Sequence, residues 1–183
     1  MFDRDFRITG TCKLLERPCE LPEMLWIGMQ YANFKIFKAY IDAYILCPII
    51  GFQYGRKGVI DNSVKGEAGM MAEILGKRRN ELKFVYQILM LADEESEPDQ
   101  DKRVYRAFRL SETLQEDRDM IAENMKIYNS YFLGGLEVLH EIFVDECIDD
   151  DSYLVKMNSF VHDFYQEQDG EALKAAIDNI LNG

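Results

Sequence analysis

The sequence predicts an all-α fold, a single compact helical domain over residues 1–183 built around a buried central helix at about residues 34–50. Three observations carry this prediction. First, in the segment 34–58, apolar residues recur at Phe34, Phe37, Ile41, Tyr44, Ile45, Pro48, Ile49 and Phe52, and Ile36, Tyr40, Ala43, Cys47 and Ile50 cover the opposite face. That spacing is helical, and a helix apolar nearly all round must be buried on all sides. Second, helical spacing returns along 81–91, 111–147, 153–166 and 171–181, so about six to eight helices are expected. Third, 183 residues with 48% hydrophobic content, four prolines and twelve glycines suit one domain with a real core and no long disordered tract.

Taken in order, residues 1–20 read as an arm that packs on the body, with Phe6-Arg7-Ile8 starting a short strand ended by Gly10 and 11–17 forming a helical turn stopped by Pro18. Residues 21–33 suit a helix, with Pro22 at the first position and Glu23 in the first turn. In the central helix, Pro48 lacks an N–H and should kink the helix or end it nearby, after which Gly51 and Gly55 can adopt the left-handed conformation that terminates helices. Residues 61–68 read as a polar link and 68–75 as a short apolar turn ended by Gly76. Residues 81–91 read as a buried helix through Leu82, Val85, Tyr86, Ile88, Leu89 and Leu91. The stretch 93–102 is an exposed acidic loop, the best candidate for a mobile, protease-sensitive tip. Thr113 and Glu116 fit a capping box for the helix that follows. Gly134-Gly135 inside that helix means either a break or a close crossing against the central helix, because glycine costs about 1 kcal/mol against alanine in a helix interior. The aspartates 149–151 with Ser152 start a helix that places Leu154, Met157, Phe160, Val161 and Phe164 inside, and a last helix spans 171–181.

The net charge of −12 is divided unevenly. Residues 1–92 hold 13 Lys+Arg against 10 Asp+Glu, whereas residues 93–183 hold 8 against 23. An acidic half repels nucleic-acid phosphates, so wrapping of DNA by the whole surface is not expected. A basic protein partner, or simple solubility, accounts for it. Cys12, Cys19, Cys47 and Cys147 show no CxxC pairing, and the N-terminus shows no signal pattern. No apolar run reaches the roughly 20 residues that a membrane span needs. The expected setting is the cytoplasm, with no membrane association.

Candidate functional residues are few. Arg56 and Lys57, after the central helix, either satisfy its carbonyl end or contact an anion. Lys77, Arg78 and Arg79 open a helix, the end where the dipole disfavours cations, so internal pairing or an anionic partner must justify them. These five residues are the candidate anion, nucleic-acid or partner patch. Arg103, Arg106 and Arg109 alternate with aromatics and read as snorkelling arginines of an amphipathic element rather than a nucleic-acid site. Asp42, alone in the central helix, requires a partner such as Lys38. Glu137 and His140 have the i, i+3 spacing of a di-iron ligand pair, but three residues before the second histidine, His162, stands Ser159. No metal, cofactor or catalytic residue is therefore implied.

The segment Phe37, Tyr40, Asp42, Tyr44, Gly51, Phe52, Gly55, Arg56 and Lys57, with Gly135, Leu136 and Leu139 further on, resembles small accessory proteins associated with Dnd loci, the bacterial DNA phosphorothioation and restriction systems. The chain departs from that pattern in its longer N-terminal arm and acidic C-terminal helices. The resemblance implies a non-enzymatic accessory or adaptor subunit of a DNA-modification or anti-phage defence system, contacting another protein subunit. The alternatives are direct DNA binding through the basic residues of the N-terminal half and an enzyme whose site the sequence hides.

Overall fold

The computed structural model describes residues 6–9, 11–12, 37, 39–61, 67–70, 72–145 and 150–168. The described part is an all-α assembly of six packed helices with two minimal β ladders beside it. Strand β1 (Phe6–Thr9) runs antiparallel to β4 (Glu67–Met70), and β2 (Thr11–Cys12) to β3 (Ile60–Asp61). The predicted strand at Phe6 thus forms. Thr11 and Cys12 are extended rather than helical, and the apolar run at 68–75 divides into the end of β4 and the start of a helix. The expected helices at 21–33 and 171–181 lie outside the described residues, as does Lys38.

The helices are α1 (Tyr40–Gln53), α2 (Ala72–Lys77), α3 (Arg79–Ala92), α4 (Gln100–Phe108), α5 (Gln115–His140) and α6 (Asp150–Gln168), with a π-helical turn, Glu141–Asp145, continuing α5. The central helix is α1. It starts later than expected and does not stop at Pro48, which is buried within it. A proline at this position cannot donate to the carbonyl of Tyr44, four residues back. The Tyr128 hydroxyl from α5 donates to that carbonyl instead, at 2.8 Å. The hydrogen-bonding deficit of Pro48 is met from the neighbouring helix, so the helix runs on. Tyr128→Phe should therefore cost about 1–3 kcal/mol in urea denaturation, the penalty of a buried orphan acceptor. Pro48→Ala, which restores an N–H to the same carbonyl, should recover part of that loss in the double variant.

The helix ends at Gly55, which has φ +60° as anticipated. The Gly55 N–H donates to the Phe52 carbonyl at 3.0 Å and the Arg56 N–H to the Gly51 carbonyl at 2.8 Å, a Schellman closure. Gly51 is different from expectation: it lies inside α1 and serves packing. A Cβ there would come within 3.0 Å of the Tyr131 carbonyl of α5, and one on Gly135 would meet the Cys47 carbonyl of α1. Gly134-Gly135 accordingly marks a close crossing, and α5 passes through it unbroken.

Around this seam Tyr44 meets Tyr128 and Phe132 edge to face, with ring centroids 5.2 and 5.1 Å apart. Its hydroxyl donates to Asn129 Oδ1 at 2.9 Å. The π-helical turn carries Phe143, which packs on Tyr153 and Phe160 and holds α6. Leu154 and Val161, expected inside, are exposed on α6, while Tyr153 is buried. No capping box forms at Thr113: α5 begins at Gln115, and Thr113 instead shares a hydrogen bond with the Ser111 hydroxyl at 2.7 Å.

Candidate functional site

The five cations singled out from the sequence do not converge. Arg56 and Lys57 lie with α5 and the C-terminal end of α3. Lys77, Arg78 and Arg79 lie at the N-terminal end of α3, whose 14 residues span about 21 Å. Each has an acidic neighbour. Arg56 pairs with Glu141 of the π-helical turn. Lys57 Nζ reaches Glu95 at 2.8 Å, the Ser96 hydroxyl at 3.1 Å and buried Asp93 at 3.7 Å, and sits 4.9 Å from the centre of the Tyr131 ring. Burial pushes the Tyr131 hydroxyl up to about 12, against the pull of Lys57. The turn is also docked through its backbone, because the Gly58 N–H donates to the Ser130 carbonyl at 2.8 Å. The turn after α1 is folded back onto α5 because glycines 58 and 134 allow the two backbones to touch.

The basic run at α3 is explained by internal pairing. Lys77 meets Glu73 at 2.7 Å and Arg79 meets Glu112 at 3.9 Å. Arg78 forks onto Glu81, and its Nη1 reaches Asp42 at 3.2 Å. The hydrogen bond from Arg78 is the main cause that holds the Glu81 carboxyl below its usual range. Asp42 also accepts the Ala39 N–H at 3.1 Å, so this lone charge of α1 serves helix start and tertiary pairing together. Its observed side-chain partner is Arg78.

Neither of two clefts described on the surface includes Asp42, Glu137 or His140. Glu137 is buried in α5 and His140 is half-buried at its end. Among the described residues no group of three potential metal ligands occurs, and no helix is long and apolar enough to cross a membrane.

Two surface features were not anticipated. Helix α3 buries Leu82, Val85, Tyr86, Leu89 and Met90, but Phe84, Ile88 and Leu91 are 63%, 42% and 39% exposed. Ile88 and Leu91 were expected inside. Their spacing with Phe84, i, i+4 and i+7, places all three on one line opposite the core face. The signal was present in the sequence as a second apolar stripe, merged there with the first. The other feature is a cleft where α3 meets α4 and the start of α5, lined by Arg79, Lys83, Tyr86, Arg106 and Phe108 among others. Its residues come from segments far apart in sequence, which no local pattern could assemble.

No protein-family model matches the chain, and neither a curated protein nor a solved structure is significantly similar to it.

Proposed function

We propose that this chain is a non-enzymatic accessory subunit that binds another protein through the outer face of α3. The observation that carries this reading is the Phe84–Ile88–Leu91 stripe, an aligned apolar surface on a helix whose opposite face already fills the core. Aligned exposed apolar side chains mark interaction surfaces, whereas scattered ones need no explanation. The occupant that fits is an amphipathic helix of the partner laid against α3. Charge sets its chemistry. Beyond its C-terminal end α3 runs into the exposed carboxylates Glu94 and Glu95. The partner helix therefore presents basic residues at that end. The resemblance of the α1 segment to Dnd-associated accessory proteins fits this reading and would place the partner in a DNA-modification or defence system. Internal pairing of Arg56, Lys57, Lys77, Arg78 and Arg79 makes direct DNA binding the weaker alternative.

A photo-crosslinking residue at position 84, in cells that make the protein naturally, tests the idea. One protein should be captured, with the cross-link on an apolar helix face. Once purified, that protein should bind the wild type and lose at least about tenfold in affinity against Ile88→Glu. Ile88→Glu should leave the folding stability within about 0.5 kcal/mol of wild type, since the site is exposed. Cross-links only between copies of this chain would replace the reading with self-association. Unchanged binding by Ile88→Glu would sink it.

A further inference from the structure

The α3–α4 cleft carries a charge arrangement opposite to that of the whole molecule. Its volume is about 120 Å³. Helix α3 contributes Arg79 and Lys83, one turn apart on the same side, and α4 contributes Arg106. Among the described residues the carboxylate in the lining is Glu112, which stands 3.9 Å from Arg79. Arg106 is held from outside the cleft by Glu97, at 3.5 Å. Lys83 is exposed and has no ion-pair partner among the described residues. Among the described residues of the lining, three cations thus stand with one carboxylate, in a protein of net charge −12. Like charges at i, i+4 on a helix are unfavourable, and nothing in the core requires Lys83.

The floor is rigid. The Tyr86 hydroxyl accepts a hydrogen bond from Asn124 Nδ2 at 2.8 Å and donates to the Arg106 carbonyl at 3.4 Å, tying α3, α4 and α5 together at this point. Beside the cations the wall is apolar, made by Phe108, Leu110 and Ile121, and Phe108 is 57% exposed. A carboxylate ligand would bring one charge and two oxygens to this site. A phosphate monoester brings about −1.5 to −2 charges near neutral pH and three acceptor oxygens, matching the excess of cationic donors.

We propose that the α3–α4 cleft binds a small phosphate monoester, its phosphate among Arg79, Lys83 and Arg106 and its apolar or aromatic part against Phe108. This inference does not depend on the docking role of Phe84 and Ile88, which lie on another side of α3.

Phenyl phosphate is the probe, titrated into the full chain and followed by amide shifts in two-dimensional NMR, with benzoate and sodium chloride at matched ionic strength as comparisons. Saturable shifts confined to residues around 79–87 and 106–112 are expected with phenyl phosphate. Lys83→Glu should weaken that binding by about tenfold or more, the loss of a charge-assisted contact, while Ile88→Glu leaves it unchanged. Lys83 is exposed, so the variant is expected to fold, and its spectrum verifies that directly. Inorganic phosphate binding as tightly as phenyl phosphate would remove the organic half of the proposal. Shifts that benzoate or sodium chloride reproduce, no saturation, or equal binding by Lys83→Glu would overturn the site.

Discussion

Gly135→Ala is expected to destabilise the chain by at least about 3 kcal/mol, a large fraction of the 5–15 kcal/mol typical of a domain. A Cβ at this position would meet the Cys47 carbonyl oxygen and carbon well inside the distance real Cβ atoms keep. The obstacle is backbone of α1, not the end of a flexible side chain, so relief requires the two helices to move apart. Moving them apart also loosens Tyr44 against Tyr128 and Phe132, and lengthens the hydrogen bond that replaces the donor missing at Pro48. The loss is therefore shared by packing and hydrogen bonding. Chemical denaturation followed by circular dichroism measures it. Gly76→Ala is the matching control. A Cβ on Gly76 meets nothing within 4 Å, and alanine favours the helix there, so the variant should gain up to about 1 kcal/mol. Equal stabilities for the two variants would contradict the close crossing.

This crossing shows how far the sequence could be read. The double glycine left two readings open in the sequence, a break or a close crossing against the central helix, and the fold takes the second. Which carbonyls approach which glycines depends on the relative rotation of α1 and α5, a long-range property. The later end of α1 was hidden for the same reason: Pro48 is a local stop signal, and the hydroxyl that cancels it arrives from 80 positions away, at Tyr128. The basic residues were legible in a different way. Charge counting found Arg56, Lys57 and the run 77–79, but their partners, Glu141, Glu95 and Glu112 among them, are supplied by the tertiary fold. Conversely Lys83 and Arg106 drew no attention as a pair, because only the turn between α3 and α4 brings them to one cleft.

Arg103 carries the second large effect. The stretch after α3 looked from its composition like a free acidic tip. In the fold it is exposed along much of its length yet tied at both ends. Asp93 is buried and accepts the Ser96 N–H at 3.1 Å. Asp99 caps α4 by accepting from the N–H groups of Asp101 and Lys102, at 2.9 and 3.2 Å. Between them the buried Arg103 guanidinium donates from Nη1 to the carbonyls of Glu97 and Pro98, both at 3.0 Å, and from Nη2 to Glu94 Oε1 at 3.0 Å. Local acidity predicts repulsion and disorder; one arginine reaching back from α4 turns the same residues into a clamp. Arg103→Met keeps the stem and removes the donors, so it should cost about 2–4 kcal/mol, mostly for two carbonyls left without them. It should also open the segment 93–99 to a glutamate-specific protease that leaves the wild type uncut there. Arg103→Lys should rescue little, because a single ammonium cannot reproduce the planar fork. Glu94→Gln should cost less than about 1 kcal/mol, since Glu94 is 77% exposed and its ion pair is solvated. If Glu94→Gln proved as damaging as Arg103→Met, the stabilisation would reside in the ion pair and not in the backbone clamp. The position of the α3–α4 turn bears on both surfaces proposed above: it sets the acidic end of the α3 stripe and holds Arg106 in the cleft through Glu97. Arg103→Met should therefore weaken phenyl phosphate binding as well as stability, whereas Ile88→Glu should change neither, and that contrast separates a clamp that positions the cleft from an apolar face that serves a partner.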